Sequence, residues 1–369
     1  MSKTACCGCK SCVNVCPVHA ISMVEDEYGF TYPQVDSAAC IDCGRCKTVC
    51  PMLDVKGKPV SDAYAVVLDD EAVGSSASGG AFYALAKAFL ENGGVVFGCA
   101  FDERLQASHI EISRVDELSQ LQGSKYVQSD LDCHRRILSL MKQGVPVLFS
   151  GTPCQVAAIQ SFVGGKSEKL CCVELICHGV PSARLWKDYI DSLGRKHKGT
   201  IRSFRFRTKG KGKKWCASYM VDVQGKKKQV FLPAVLSHYY SSFLKGRIYR
   251  DSCYACPFAQ PDRQADVTIG DFWGYQGQAF CERTDVSALL IQSEKGRQMF
   301  EQARKYLRTE PSSFELVAAR NEQLRKPTSI QKRDEAYLKL WKAEGMKGLE
   351  RMHRVAHWKA YLLHLLGRL

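Results

Sequence analysis

The chain has no long apolar run. Nowhere among its 369 residues is there a stretch approaching the roughly eighteen apolar residues that a membrane-spanning helix needs. Its opening residues, Met-Ser-Lys-Thr-Ala-Cys, lack the apolar core of a secretory signal, so the sequence reads as cytoplasmic. Acidic residues are in deficit: 38 Asp and Glu stand against 52 Lys and Arg, a formal net charge of +14. No nucleic-acid-binding motif accompanies that charge, and nucleic acid is not expected as a partner. Nor is there a solenoid-length repeat. The length suggests two or three domains, and a hydrophobic content of 45% is ordinary for a globular protein. Cysteine is the opposite case. There are 19, and without an export signal they point to metal ligation in a reducing compartment, not to disulfides.

Eight of these cysteines form one repeated pattern. Cys6-x2-Cys9-x2-Cys12-x3-Cys16-Pro17 is the first copy, and Cys40-x2-Cys43-x2-Cys46-x3-Cys50-Pro51 the second. This is the bacterial ferredoxin spacing for two [4Fe–4S] clusters, in which three thiolates wrap one cluster and the fourth reaches the other. The spacing assigns Cys6, Cys9, Cys12 and Cys50 to one cluster, and Cys40, Cys43, Cys46 and Cys16 to the second. Cys7 fits neither register. A zinc module or disulfide scaffold is the competing reading. Zinc sites more often use two separated CxxC pairs, which triplets ending in Cys-Pro do not match. Val13, Val15, Ile41 and Val49 are expected to keep water from the clusters.

After a Lys56–Pro59 linker, strands alternate with helices. Strands are expected at Ala63–Leu68, Val95–Phe101, His109–Ser113, Val145–Phe149 and Leu170–Ile176. Helices are expected at Gly80–Asn92, Leu131–Gln143, Gln155–Phe162 and Ala183–Leu193. The pattern implies a βαβ-type sheet with helices packed on it. A β-rich stretch follows, with Ile201–Arg207, a hairpin of Ala217–Val223 and Gln229–Leu232, and a short strand at Val267–Ile269. From about residue 295 the chain reads as mostly helical. The expected fold class is α+β: a ferredoxin-like module over 1–58, an α/β domain over 59–295 with a β-rich insert, and a helical extension over 296–369.

Between Arg195 and Lys228 there are thirteen Lys or Arg and one acid, Asp222. That run is either a solvated lysine-rich hairpin or a surface for an acidic small-molecule substrate, an acidic electron carrier or anionic lipid. The last helix, Lys347–Leu366, sets Leu349, Met352, Val355, Leu362, Leu363 and Leu366 against Arg351, Arg354 and Lys359. Such a helix docks on its own protein or a partner subunit, or lies on a membrane surface.

Further cysteines recur beside glycine, proline or histidine: Cys154 in Gly151-Thr152-Pro153-Cys154, Cys177 in Cys177-His178-Gly179, and Cys253-x2-Cys256-Pro257. Cys154 and Cys177 each follow an expected strand, at the edge where α/β sheets bind ligands. The four either converge on a third [4Fe–4S] cluster, or are two buried hydrophobes and a zinc or redox pair. Ser75-Ser76-Ala77-Ser78-Gly79-Gly80 precedes a helix, where small residues let a phosphate approach free backbone N–H groups; a plain N-cap is the alternative. Gly151 and Thr152 open another helix. Lys125, in Gly123-Ser124-Lys125-Tyr126, either faces a phosphate or flavin carbonyl or is a surface lysine.

Together the Gly-Gly helix start, GSKY, GTPCQ, CHGVPS, CxxCP and Ala265–Gly274 (ADVTIGDFWG) resemble, in order and spacing over roughly residues 1–295, the coenzyme F-420 (deazaflavin) hydrogenase/dehydrogenase beta-subunit family. The resemblance implies a flavin, FAD or FMN, beside a cluster in the α/β domain, exchanging hydride with a soluble carrier or substrate and single electrons with iron–sulfur centres; the redox carrier expected as partner is ferredoxin, deazaflavin or nicotinamide. It makes Cys154, Cys177, Cys253 and Cys256 ligands of a third cluster. It makes Ser76, Ser78, Gly79, Gly80, Lys125, Tyr126, Gly151, Thr152 and Trp273 flavin-site residues, and Lys125, His178 and Asp271 the catalytic candidates. An electron-transfer subunit of a larger enzyme, or a reductase of a glycan or pigment intermediate, is the alternative reading.

Overall fold

A computed structural model describes residues 2–69, 76–165, 167–208, 215–330 and 332–365. The N-terminal module is built on the cysteine repeat. In each run the residues flanking the middle cysteine are left-handed: Gly8 (φ 71°) and Lys10 (φ 63°) around Cys9, Asp42 (φ 50°) and Gly44 (φ 73°) around Cys43. These tight turns run straight into very short helices, α1 (Ser11–Val15) and α2 (Arg45–Thr48). Between the runs, β1 (Ile21–Glu25) and β2 (Thr31–Val35) pair as an antiparallel hairpin.

The rest of the chain is organised by one eight-stranded sheet. Its strands are β3 (Asp62–Leu68), β4 (Val95–Phe101), β5 (Ala107–Ile112), β6 (Val147–Gly151), β7 (Leu170–Leu175), β11 (Val267–Asp271), β12 (Ser287–Ile291) and β13 (Leu307–Ser312). Their order is β13-β3-β12-β11-β7-β6-β4-β5. β4, β6, β7 and β11 are parallel neighbours, while β12, β13 and β5 pair antiparallel. β6 and β12 are buried at every position, because helices cover both faces. α3 (Ala81–Glu91) and α9 (Glu294–Ala303) pack on one face through Leu85, Met299 and Phe300. α4 (His134–Lys142) and α5 (Pro153–Phe162) pack on the other through Ile137, Val156 and Ile159.

An aromatic second core lies beside the sheet. α6 (Ala183–His197) packs on a three-stranded antiparallel sheet of β8 (Thr200–Arg205), β9 (Cys216–Val223) and β10 (Lys226–Pro233). α7 (His238–Leu244), α8 (Asp251–Tyr254), α10 (Phe314–Ala318), α11 (Glu335–Ala356) and α12 (Trp358–Leu365) complete the chain. Trp186, Tyr189, Phe204, Phe206 and Tyr239 join α6, the small sheet and α7 into that core. The ferredoxin-like module sits on both cores. α1 meets α4 and α5, where Ser11 Oγ lies 3.0 Å from His134 Nε2 and the Arg135 guanidinium donates to Asn14 C=O at 2.9 Å. Glu25 pairs with Arg184 of α6, and Glu27 with Lys342 of α11.

Four expectations need correcting. The boundary at 295 falls inside α9, and β13 beyond it is a sheet strand, so the α/β fold continues to Ser312. The tail helix is two helices, with Gly345 (φ 63°) interrupting α11. Leu349 is buried, but Val355, Leu362 and Leu363 are exposed, while Leu366 lies outside the described residues. Ile41 is 61% exposed and shields nothing, whereas Val49 is buried. Lys209, Lys211, Lys213 and Lys214 of the basic run also lie outside the described residues. No described helix is long and apolar enough to cross a membrane.

Candidate functional site

The fold brings cysteines together in three places. Burial pushes the Cys12 thiol up to about 12, with Cys9 and Cys6 adding to it. Cys50, thirty-eight positions further on, is likewise raised by burial and by Cys9 and Cys6. The exchanged fourth cysteine is therefore beside the first run. Cys40 and Cys46 pack on the small core of Cys16, Ala20 and Ile21, and Cys43 is exposed on the intervening turn.

A third set forms at the sheet edge. Cys154 is in the first turn of α5, whose N-terminus is closed by a capping box of Thr152 and Gln155. Cys177 follows β7, and Cys253 and Cys256 bracket the end of α8. Cys177 is pushed up by burial and then by Cys253, Cys154 and Cys256. Cys253 is pushed to about 12 by burial, Cys256 and Cys154, and Cys256 to about 12 by burial and Cys154. Burial and neighbouring thiols thus oppose ionisation of Cys177, Cys253 and Cys256. Among the described residues no group of three His, Cys, Asp or Glu could hold a single metal ion.

Cys7 lies between two sets. Its thiol is raised first by hydrogen bonding to Cys154, then to Cys9. Cys9 is correspondingly lowered to about 6 by Cys7, and Cys154 is lowered by Cys7. Cys7 is thus in hydrogen-bonding contact with a member of each set. A buried ion pair fixes the third set from behind. Arg263 Nε donates to Glu174 Oε1 at 2.6 Å, with side chains 1% and 0% exposed, and Arg263 also donates to Phe258 C=O and Gln260 C=O. This ties the loop after Cys256 to β7, just before Cys177.

Next to this set is a cavity of about 500 Å³ along the C-terminal ends of the parallel strands. Ser76, Ser78 and Gly80 line one part, Gly151 and Thr152 another, and Cys177-His178-Gly179-Val180 a third. Gly79 supports the first part. A Cβ there would collide with the Val66 carbonyl and the Ser287 N–H, so only glycine lets the loop lie against the sheet. Ser76 Oγ accepts from Gln122 Nε2, and Ser78 Oγ donates to Val286 C=O. α3 then starts with neither a side-chain cap nor an acid in its first turn, leaving its first N–H groups at the cavity. His178 is open to the cavity, and the protein around it holds its imidazole below the ordinary range.

Lys125 lines the cavity, and its Nζ donates to the carbonyls of Gln120, Leu121 and Gln122. It shapes its own loop. Tyr126 stacks on Phe243 with ring centroids 4.2 Å apart and so faces the cavity from the aromatic core. Asp271 accepts from Arg207 in an ion pair. Arg207 lies over both Trp215 and Trp273, at 5.4 and 5.5 Å from their ring centroids. The sequence pattern did not single out Arg207, Trp215, Arg320 or Asn321, all of which line the cavity. Arg207 is one of thirteen basic residues in its run, with nothing local to mark it.

Residues 145–315 match the family model for the C terminus of the coenzyme F420 hydrogenase/dehydrogenase beta subunit. Residues 5–53 match the 4Fe-4S dicluster domain. The chain thus joins an N-terminal 4Fe-4S dicluster domain to a mixed α/β fold whose residues 145–315 match the C-terminal domain of the coenzyme F420 hydrogenase/dehydrogenase beta subunit. The first match takes in Cys154, Cys177, Cys253, Cys256 and strand β13, and the second takes in both cysteine runs. Among solved structures, a chain of the xenon-derivatised F420-reducing [NiFe] hydrogenase complex from Methanosarcina barkeri is 14% identical, covering 81% of this chain and 93% of that one, with a TM-score of 0.47. No curated protein matches.

Proposed function

We propose that this protein is a flavin-dependent iron–sulfur oxidoreductase, passing electrons between its clusters and a flavin in the cavity, with a soluble redox carrier as hydride partner. Cys6, Cys9, Cys12 and Cys50 hold one [4Fe–4S] cluster, Cys40, Cys43, Cys46 and Cys16 the second, and Cys154, Cys177, Cys253 and Cys256 a third. A bound flavin, FAD or FMN, supplies the exchange between paired and single electrons. The observation that carries this reading is the segment Cys177–Val180. It belongs to the third thiol set and is also a wall of the cavity.

The protein's own groups have distinct parts. The open N-terminus of α3 offers N–H donors and its positive dipole end to a phosphate, and Gly79 and Gly80 keep the approach clear. His178, held neutral and open to the cavity, can give or take a proton at a ring nitrogen. Asp271 fixes the Arg207 guanidinium beside the packed Trp215–Trp273 pair, making a cationic and aromatic wall for a planar, anionic carrier. The insert that supplies Arg207 and Trp215 also presents exposed Lys226, Lys227 and Lys228 on β10, which would steer such a carrier inward.

The test is the composition of anaerobically purified protein. Denaturing release and chromatography should give about one flavin per chain, and iron analysis about twelve iron atoms for three clusters. Absence of flavin after reconstitution removes the flavin reading and leaves an electron-transfer subunit that docks on a larger enzyme.

A further inference from the structure

The junction between the ferredoxin-like module and the α/β domain contains a cation in an unusual position. Arg250 is 0% exposed. Its Nε donates to Cys6 C=O at 2.6 Å, one terminal nitrogen to Gln128 Oε1 at 3.0 Å, and the other to Thr31 C=O at 2.7 Å. That second nitrogen also lies 3.9 Å from Cys6 Sγ, and the guanidinium stands over the Tyr32 ring at 4.3 Å. Among the described residues, no carboxylate appears in these contacts. Arg263, the other fully buried arginine, has Glu174. Asp251, next in sequence, is taken by Arg333.

A guanidinium removed from water without a counter-charge is costly, and carbonyls supply only part of the compensation. The missing negative charge is next to it on both sides. Cys6 belongs to the first cluster set. On the other side, Arg250 accepts at its carbonyl from Cys253 N–H and donates its own N–H to Val180 C=O, at 2.9 Å each. The Arg250 charge also acts on Cys154 and Cys253 of the third set. Space at this point is fully used. Gly8 sits at φ 71°, and a Cβ there would meet Gln128 Nε2 at 2.7 Å and Arg250 at 2.8 Å. Gln128 in turn donates to Cys7 C=O at 3.0 Å.

We propose that Arg250 is the shared counter-charge of the two clusters that meet at this junction, and that it sets their reduction potentials so that electrons cross between the two domains. This rests on the cluster assignments above. A [4Fe–4S] core with four thiolates is a net anion and gains one further negative charge on reduction. A fixed buried cation beside it favours the reduced form and raises the potential; burial, net charge and hydrogen bonds to sulfur are the protein's means of tuning it. Arg250 is a positioning and tuning residue. Its contacts lie on the Cys6 and Cys253 sides, so the Cys16, Cys40, Cys43 and Cys46 cluster serves as an internal control.

The experiment is an anaerobic redox titration followed by electron paramagnetic resonance, with iron and sulfide counted on each sample. Arg250→Gln removes the charge and keeps an amide donor. Gln128→Glu leaves Arg250 in place and neutralises it with a near-isosteric carboxylate. Arg250→Lys keeps the charge. The first two should lower two cluster potentials by at least tenfold in the oxidised-to-reduced ratio, about 59 mV for a one-electron couple, and leave one cluster unmoved. Arg250→Lys should stay near the wild type. Unmoved potentials in Gln128→Glu with full iron content, or an equal shift in Arg250→Lys and Arg250→Gln, overturn the proposal. Should Arg250→Gln lose iron, Gln128→Glu decides. Wild-type protein without three cluster signals would instead remove the cluster assignment.

Discussion

Replacing Arg263 with leucine should damage the third cysteine set without touching a cysteine. The Arg263–Glu174 pair is fully enclosed, and Glu174 also accepts from Thr268 Oγ1 at 2.9 Å and Gln264 N–H at 3.2 Å. Arg263→Leu leaves the Glu174 carboxylate with two neutral donors and no cation. It also removes the donor from the Phe258 and Gln260 carbonyls. Breaking one side of a buried pair costs about 3–5 kcal/mol, because the remaining charge stays desolvated. For a domain of this size that is a fall of about 6–20 °C in anaerobic melting temperature. The loop from Phe258 to Arg263 would loosen from β7, and Cys256 is two residues before it, so about four iron atoms per chain should be lost with the third cluster. The double variant Glu174→Leu/Arg263→Leu removes both charges and should recover much of the melting temperature. An Arg263→Leu protein with wild-type melting and full iron would show that the pair neither stabilises the fold nor holds the cysteine loop.

Three further outcomes are expected. Gly79→Val forces a side chain into the Val66 carbonyl and Ser287 N–H, and should cost about 1–3 kcal/mol and most of the bound flavin while iron content is kept. Trp215→Ala opens the wall beside Arg207, and should raise the KM for the redox carrier roughly tenfold while flavin and iron stay at wild-type levels. His238, bonded through Nδ1 to Tyr337 of α11, is pushed down to about 3 by burial, and His353 to about 4. Both folded-state values are below the unfolded one, so the stability they carry is full above about pH 6.5 and is lost as pH falls toward 4. The protection factors of α11 amides, corrected for the slower intrinsic exchange in acid, should therefore be smaller at pH 5 than at pH 7.5, and His238→Phe should reduce that difference.

Sequence made the two cysteine runs readable because cluster ligation is local: two-residue gaps and left-handed turns act within a dozen residues. The third set was readable only through several short motifs taken together, since its members are brought together by the sheet. What escaped was set by tertiary packing. β12 is five residues, Ser287 and four apolar ones, too short for periodicity to separate strand from helix. β13 carries Arg308, Glu310 and Pro311, a polar pattern tolerated because it is the edge strand beyond β3. Nothing local in the sequence shows that the Lys125 ammonium, which lines the cavity, also meets three carbonyls of its own loop. Arg250 is one arginine among many in the sequence, and only the folded chain shows that it is enclosed without a carboxylate.

The order of the sites follows from which residues adjacent sites share. The two N-terminal sets are joined by exchange, Cys16 and Cys50 each leaving its own run for the other. The first and third sets are joined by Cys7, whose thiol bonds to a member of each, and by Arg250 beside them. The third set and the cavity are joined by Cys177 and the three residues after it. Each step across the protein is thus one short chain segment or one hydrogen bond, and none depends on a long flexible connection. Damage should therefore be local. Arg250 variants should change potentials at the module junction while flavin content holds, and Gly79 variants should empty the cavity while all three clusters persist. Loss of all cofactors together from either variant would mean that the sites are coupled through global folding and not through these shared residues.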